Sequence, residues 1–165
     1  MRLRVVGAAL CVLVSSGLAQ TDTGGARYLS QAELLNQAKA LLAKARTDPG
    51  GMADITLATY PGHSVWMVAR TKTGQVEVHR KNADNMVVLD GEATVVTGGT
   101  IVDGKDTSPD EVRGNKMDGG VPHVMHKGDT LHIDANVPHQ TIVAPGKTIS
   151  IYIVKSEEPP AGSAR

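Results

Sequence analysis

Glu77 and His79 stand two residues apart in a short, valine-containing segment, Gln75–His79. Side chains two apart on a β-strand leave the same face, so a carboxylate and an imidazole would project together. These are oxygen and nitrogen donors, and a pair of them on one face can begin a metal site. Asp84 follows five residues after His79, and His139 lies far downstream, directly after Val137-Pro138. Each also has a plainer reading. Glu77 faces solvent if the strand register slips by one. His79 can be an interior histidine satisfied by hydrogen bonds, and Asp84 can belong to an Asn82-Ala83-Asp84-Asn85 turn.

Other chemistries find less support. The chain has no Gly-x-Ser-x-Gly elbow, no phosphate-binding loop and no dinucleotide fingerprint. His123 and His126 are three apart and cannot share a strand face, and His132 lies on the face opposite Leu131 and Ile133. These three read as surface or rim residues. The one cysteine, Cys11, sits inside an apolar run near the N-terminus.

That run belongs to a segment with the three-part layout of a secretory signal. Arg2 and Arg4 give a positive start, Val5–Val14 is apolar but too short to span a bilayer, and Gly17-Leu18-Ala19 supplies small residues for cleavage before Gln20. The expectation is an exported protein, periplasmic or secreted. Its mature chain would contain no cysteine, which excludes disulfides, thiolate metal sites and cysteine nucleophiles. Loss of Arg2 and Arg4 leaves 15 basic residues against 17 acidic ones. A near-neutral chain without a basic stripe is a poor nucleic-acid binder. No Phe, one Trp and three Tyr leave little to stack bases on, and put Val, Ile, Leu, Met and Ala in the core.

The elements that must position the candidate residues follow in order. Residues 20–51 read as a loose leader and one helix, Ser30–Arg46. Ser30 and Glu33 have the form of a capping box, and Leu34, Leu35, Ala38, Leu41, Leu42 and Ala45 form an apolar stripe. The stripe should pack on the outside of a sheet or against a second subunit. From Ile55 onward the pattern changes to short β-branched segments: Ile55–Tyr60, His63–Arg70, Gln75–His79, Met86–Leu89, Ala93–Val96, His123–Met125, Thr130–Ile133, Gln140–Val143 and Thr148–Val154. Short strands at this spacing make a sandwich or barrel. Thr71–Gly74 reads as a hairpin turn, and Thr97–Gly120 as a long polar loop with at most a fragment of strand. The domain is expected over 52–155, with a flexible tail at 156–165.

Gly128–His139 resembles the second sequence motif of the cupins, which runs Gly, five residues, Pro, one, Gly, two, His. Gly128 and His139 fall on that spacing, with Asp134 in place of the Pro and Asn136 in place of the second Gly. Asn tolerates a left-handed backbone, so that exchange is mild. The first cupin motif runs His, one, His, four, Glu, six, Gly. Here it reads Glu77, His79, Asp84, Gly91, with Glu for the first His and Asp for the Glu. The resemblance covers roughly residues 55–154.

It implies an all-β fold, the jelly-roll-like double-stranded β-helix barrel, with one helix outside it. It also implies a barrel-interior site at Glu77, His79, Asp84 and His139. Two imidazoles with one or two carboxylates suit one divalent metal ion, Zn, Mn, Fe or Ni, with open positions for a ligand. Cupins with such a set act on small polar organic molecules as dioxygenases, isomerases or lyases, while others have lost the metal and only bind or sense ligands. His63, after the Pro61-Gly62 turn, is a weaker candidate for the pocket mouth. Pairing through edge strands makes a homodimer the expected assembly, and no membrane contact is expected after signal cleavage.

Overall fold

Alternating burial along β-branched segments drives this chain into sheet. In the computed structural model, which describes residues 25–158, twelve strands follow a single helix. The helix, α1 (Gln31–Thr47), begins one residue after Ser30 and buries Ala38, Leu41 and Ala45 from the expected stripe. It packs on the first two strands, β1 (Met52–Tyr60) and β2 (His63–Arg70), which form a hairpin about Pro61-Gly62. Of the two partners expected for the stripe, the sheet exterior is therefore the one it meets within this chain. Met1–Ala19, the expected signal segment, lies outside the described residues.

The remaining strands are β3 (Val76–His79), β4 (Asn82–Thr97), β5 (Thr100–Val102), β6 (Lys105–Ser108), β7 (Glu111–Gly114), β8 (Lys116–Asp118), β9 (Val121–His126), β10 (Thr130–Ile133), β11 (His139–Ile142) and β12 (Ile149–Glu157). Ten strands form one antiparallel sheet with the path β1-β2-β12-β4-β11-β3-β7-β6, and β9 and β10 also pair with β4. β5 and β8 form a separate two-stranded piece. β4 is the pivot. Its first half pairs with β12 and β10, its second half with β9 and β11. One strand thus belongs to both walls, as at the corner of a closed sheet.

Gly91 makes that corner possible. Its φ is +80°, and a Cβ there would lie 2.0 Å from the Thr148 carbonyl oxygen. The two strands expected at Met86–Leu89 and Ala93–Val96 are therefore one bent strand. Thr71–Gly74 differs as well: β2 and β3 do not pair, so this turn carries the chain from one wall to the other. The expected loop at 97–120 holds four short strands, because Glu111–Gly114 pairs with both β3 and β6. β12 reaches Glu157, three residues beyond the strand end expected at Val154.

Met86, Val88, Val95, Ile133, Ile149, Ile151 and Ile153 belong to the buried cluster between the walls. Burial of a side chain of this size is worth roughly 1.5–3 kcal/mol. With no Phe in the chain, the packing is aliphatic, as the composition required.

Candidate metal centre and its cavity

Period-two alternation puts one set of side chains into a cavity of about 340 Å³. β2 contributes Trp66, Val68 and Arg70, while Met67 and Ala69 point the other way and are fully buried. β12 contributes Ile151, Ile153 and Lys155; β4 contributes Asn82, Asp84 and Met86. Glu77 and His79 enter from β3, Glu111 and Arg113 from β7, and His139 and Thr141 from β11. The expected shared face of Glu77 and His79 is realised. Glu77 pairs directly with His139 of β11 on one side and with Arg113 of β7 on the other.

Glu77, His79 and His139 each offer one donor atom, and these atoms lie within 4.8 Å of one another. The two imidazole rings are 5.2 Å apart and tilted by 58°. His139 is buried, and its Nδ1 donates to the Val137 carbonyl at 3.1 Å. That bond fixes the tautomer and leaves the Nε2 lone pair facing the cavity, as a metal-ligating histidine requires. Burial also holds the ring below its ordinary pKa, which keeps it neutral at neutral pH. The turn that delivers His139 depends on Asn136, whose φ is 65°. The left-handed backbone expected of this Asn is what the chain uses.

Glu77 is aimed by two guanidinium groups. Arg70 Nη2 and Arg113 Nη1 both grip Oε1, at 3.2 and 3.3 Å, while Oε2 faces His79 Nε2 at 3.7 Å. Arg70 is buried, and burial lowers its pKa from the usual arginine value, but the group stays charged. Its guanidinium fits because residue 74 is glycine: a Cβ there would lie 2.6 Å from Nη1. Arg113 also holds Glu111 at 2.8 Å, and Glu111 Oε1 lies 3.7 Å from His79 Nδ1. Burial would raise the Glu111 pKa, but the Arg113 hydrogen bond and charge outweigh it and set it below the usual value.

Asp84 lies on β4, not in a turn, and is buried. Its Oδ2 is 3.4 Å from His79 Nε2 and 3.8 Å from His139 Nε2. Its nearest partner is Lys155, whose Nζ donates to Oδ1 at 2.8 Å and to Oδ2 at 3.1 Å. Burial alone would push the carboxyl up, but a hydrogen bond and positive charge from His79 in its doubly protonated form, together with the Lys155 ammonium, bring it down to about 2. The same Nζ lies 2.8 Å from His79 Nε2. An ammonium only donates, so Nε2 is the acceptor there and the proton of a neutral His79 sits on Nδ1.

Lys155, Arg70, Arg113 and Glu111 were not among the sequence candidates. For Lys155 a signal existed: it continues the i, i+2, i+4 row of Ile151 and Ile153. His63 is placed elsewhere. It stacks on Tyr60 at a centroid distance of 4.8 Å and does not line the cavity. His123 bonds Thr97 at 3.0 Å, and His126 lies 3.6 Å from Asp129.

The donor set fits a divalent ion in type, number and convergence. The cavity also carries five carboxylates (Asp54, Glu77, Asp84, Asp110 and Glu111) against three cations (Arg70, Arg113 and Lys155). Asp110 is paired with Lys81 at 2.9 Å, and the other four carboxylates still outnumber the three cations, which suits a cationic guest.

No protein-family model matches the chain, and no curated protein matches it. Among solved structures, oxalate oxidase in complex with the substrate analogue glycolate aligns with a TM-score of 0.50 at 18% identity, covering 70% of this chain. This chain spans only 55% of the oxidase. The Cnp3 cupin domain of Schizosaccharomyces pombe gives a TM-score of 0.49 at 11% identity, covering 65% of each chain. The polyketide cyclase RemF from Streptomyces resistomycificus gives 0.45 at 14% identity, covering 66% of this chain and 68% of the cyclase. The antiparallel walls joined through β4, the Gly128–His139 turn and the likeness to oxalate oxidase agree: this chain has the cupin fold.

Proposed function

We propose that the cavity binds one divalent metal ion through Glu77, His79 and His139, and that the protein acts there on a small polar organic molecule. The observation that carries this reading is the convergence of three donor atoms within 4.8 Å inside a cavity of small-molecule size. The groups that hold these side chains support it. Val137 presets the His139 tautomer, and Arg70 with Arg113 turns one Glu77 oxygen inward. When bound, the ion supplies Lewis acidity and open positions for a substrate oxygen. The chain itself supplies an apolar wall of Trp66, Val68, Ile151 and Ile153, and polar groups at Thr141 and Lys155 to orient a ligand. The reaction belongs to the dioxygenase, isomerase or lyase classes. The reading includes export after removal of Met1–Ala19, which N-terminal sequencing of exported material tests, and assembly as a homodimer, which sedimentation tests.

Elemental analysis of the purified protein is the primary experiment. Stoichiometric Zn, Mn, Fe or Ni, lost from both His79→Ala and His139→Ala, is the expected result. Absence of metal after reconstitution favours a second reading, a metal-free binding or sensing pocket. The Lys155 ammonium beside His79 Nε2 favours that alternative, because it already satisfies the ring.

A further inference from the structure

We propose that Lys155 is a tethered competitor for the metal position, and that loading exchanges its ammonium for the ion and frees Asp84, the carboxylate that the first motif already places in the site. The proposal rests on the metal-binding reading above and adds how that site is controlled.

Metal–nitrogen bonds to histidine are about 2.0–2.1 Å long and lie along the lone pair. The lone pair of His79 Nε2 already accepts from Lys155 Nζ at 2.8 Å. One lone pair cannot serve both, so His79 cannot bind a metal while the ammonium remains. Lys155 is also the group best able to leave. Its side chain is 20% exposed, against 16% for Glu77, 11% for His79, 6% for His139 and 3% for Asp84. Four methylenes let its head group swing while β12 stays in register, with Lys155 opposite Asp84.

Departure changes the site in two ways. Asp84 loses its closest cation, and its Oδ2 already lies 3.4 and 3.8 Å from the two inward-facing Nε2 atoms. A three-donor group closed by lysine becomes a four-donor group of Glu77, His79, Asp84 and His139. The cavity also loses one positive charge, which favours a divalent guest. Lysine in and metal out, or metal in and lysine out, are then two exclusive states of one cavity. Lys155 thereby sets the metal concentration at which the protein loads.

The test uses the full mature chain and Zn²⁺ alone, titrated calorimetrically. Lys155→Met should bind Zn²⁺ at least about tenfold more tightly than wild type, since a charge-assisted hydrogen bond no longer competes. Lys155→Gln keeps a neutral donor for Asp84 and guards against misfolding of the Met variant; it should fall between the two. Adding Asp84→Asn to Lys155→Met should cancel most of the gain. A separate readout runs in the opposite direction: the metal-free Lys155→Met protein should melt at a lower temperature than wild type. Equal or weaker Zn²⁺ binding by both Lys155 variants, with binding still lost in His79→Ala, overturns this proposal and leaves the metal site standing. Failure of wild type and both variants to bind Zn²⁺ overturns the two together.

Discussion

Two histidine–carboxylate clusters occupy opposite situations in this molecule. Inside, Glu77, His79 and His139 converge in a cavity. Outside, His132, Asp134 and Glu158 bring donor atoms equally close, within 4.8 Å. Residue types and spacing barely distinguish them; their surroundings do. His132 is 53% exposed and is satisfied on both sides, by Asn85 Oδ1 at 2.7 Å and by Asp134 at 2.8 Å. Glu158 accepts from the Ala135 amide at 2.9 Å. Water screens this cluster, so its ion pairs are worth at most about 1 kcal/mol. The inner cluster is largely buried, with side chains 16%, 11% and 6% exposed for Glu77, His79 and His139. Its carboxylates are gripped by Arg70, Arg113 and Lys155, the His139 tautomer is held by the Val137 carbonyl, and its orientation depends on strands that cannot slip without exposing the core. Convergence of donors alone does not mark a site; desolvated convergence with preset orientation does.

The sharpest way to break this contrast is through stability. Lys155→Met removes the partner of a buried carboxylate and should destabilise the metal-free protein by about 3 kcal/mol. Asp134→Ala, outside, should change stability by no more than about 0.5 kcal/mol. Urea unfolding of both variants at neutral pH checks this, and comparable losses would erase the difference between the clusters.

Acid comes next. The Asp84 carboxyl titrates at about 2 in the folded protein against 3.8 for the ordinary group. The folded state therefore holds fewer protons than the unfolded state between these values, and stability falls as pH falls through this window. Asp84 should account for about 2 kcal/mol of that loss, present above pH 4 and gone below pH 2. His139, whose pKa is lowered by burial, adds an earlier decline beginning below its ordinary value of 6.5. Urea midpoints against pH should show both limbs in wild type and a smaller lower limb in Asp84→Asn, the remainder coming from groups such as Glu111, whose pKa is also lowered. His132→Ala should leave both limbs in place.

A smaller effect probes orientation alone. Arg113→Ala releases one of the two grips on Glu77 Oε1. Metal affinity should drop about tenfold, the usual cost of losing a group that orients a ligand. An unchanged dissociation constant would mean that Arg70 suffices to aim Glu77.

Much of this architecture was legible in the sequence because strand alternation is local. Glu77 and His79 share a face whatever the rest of the chain does. The Gly128–His139 spacing carried the turn, including the left-handed Asn136. The cations were not legible, since nothing local says that Arg70, Arg113 and Lys155, on three different strands, meet around Glu77 and Asp84. β4 was misread as two strands because a glycine with positive φ marks a turn and a bend equally well. Residues 97–120 read as a loop because strands of three or four residues are too short to show a hydrophobic period.

The central claim is that the inner cluster holds the metal and the outer one does not. Crystals of the wild-type protein soaked in Zn²⁺ and measured at the zinc absorption edge test it directly. One strong anomalous peak is expected among Glu77, His79 and His139, with the Lys155 side chain withdrawn from His79. A peak only among His132, Asp134 and Glu158, or no peak while Lys155 stays on His79, would contradict it.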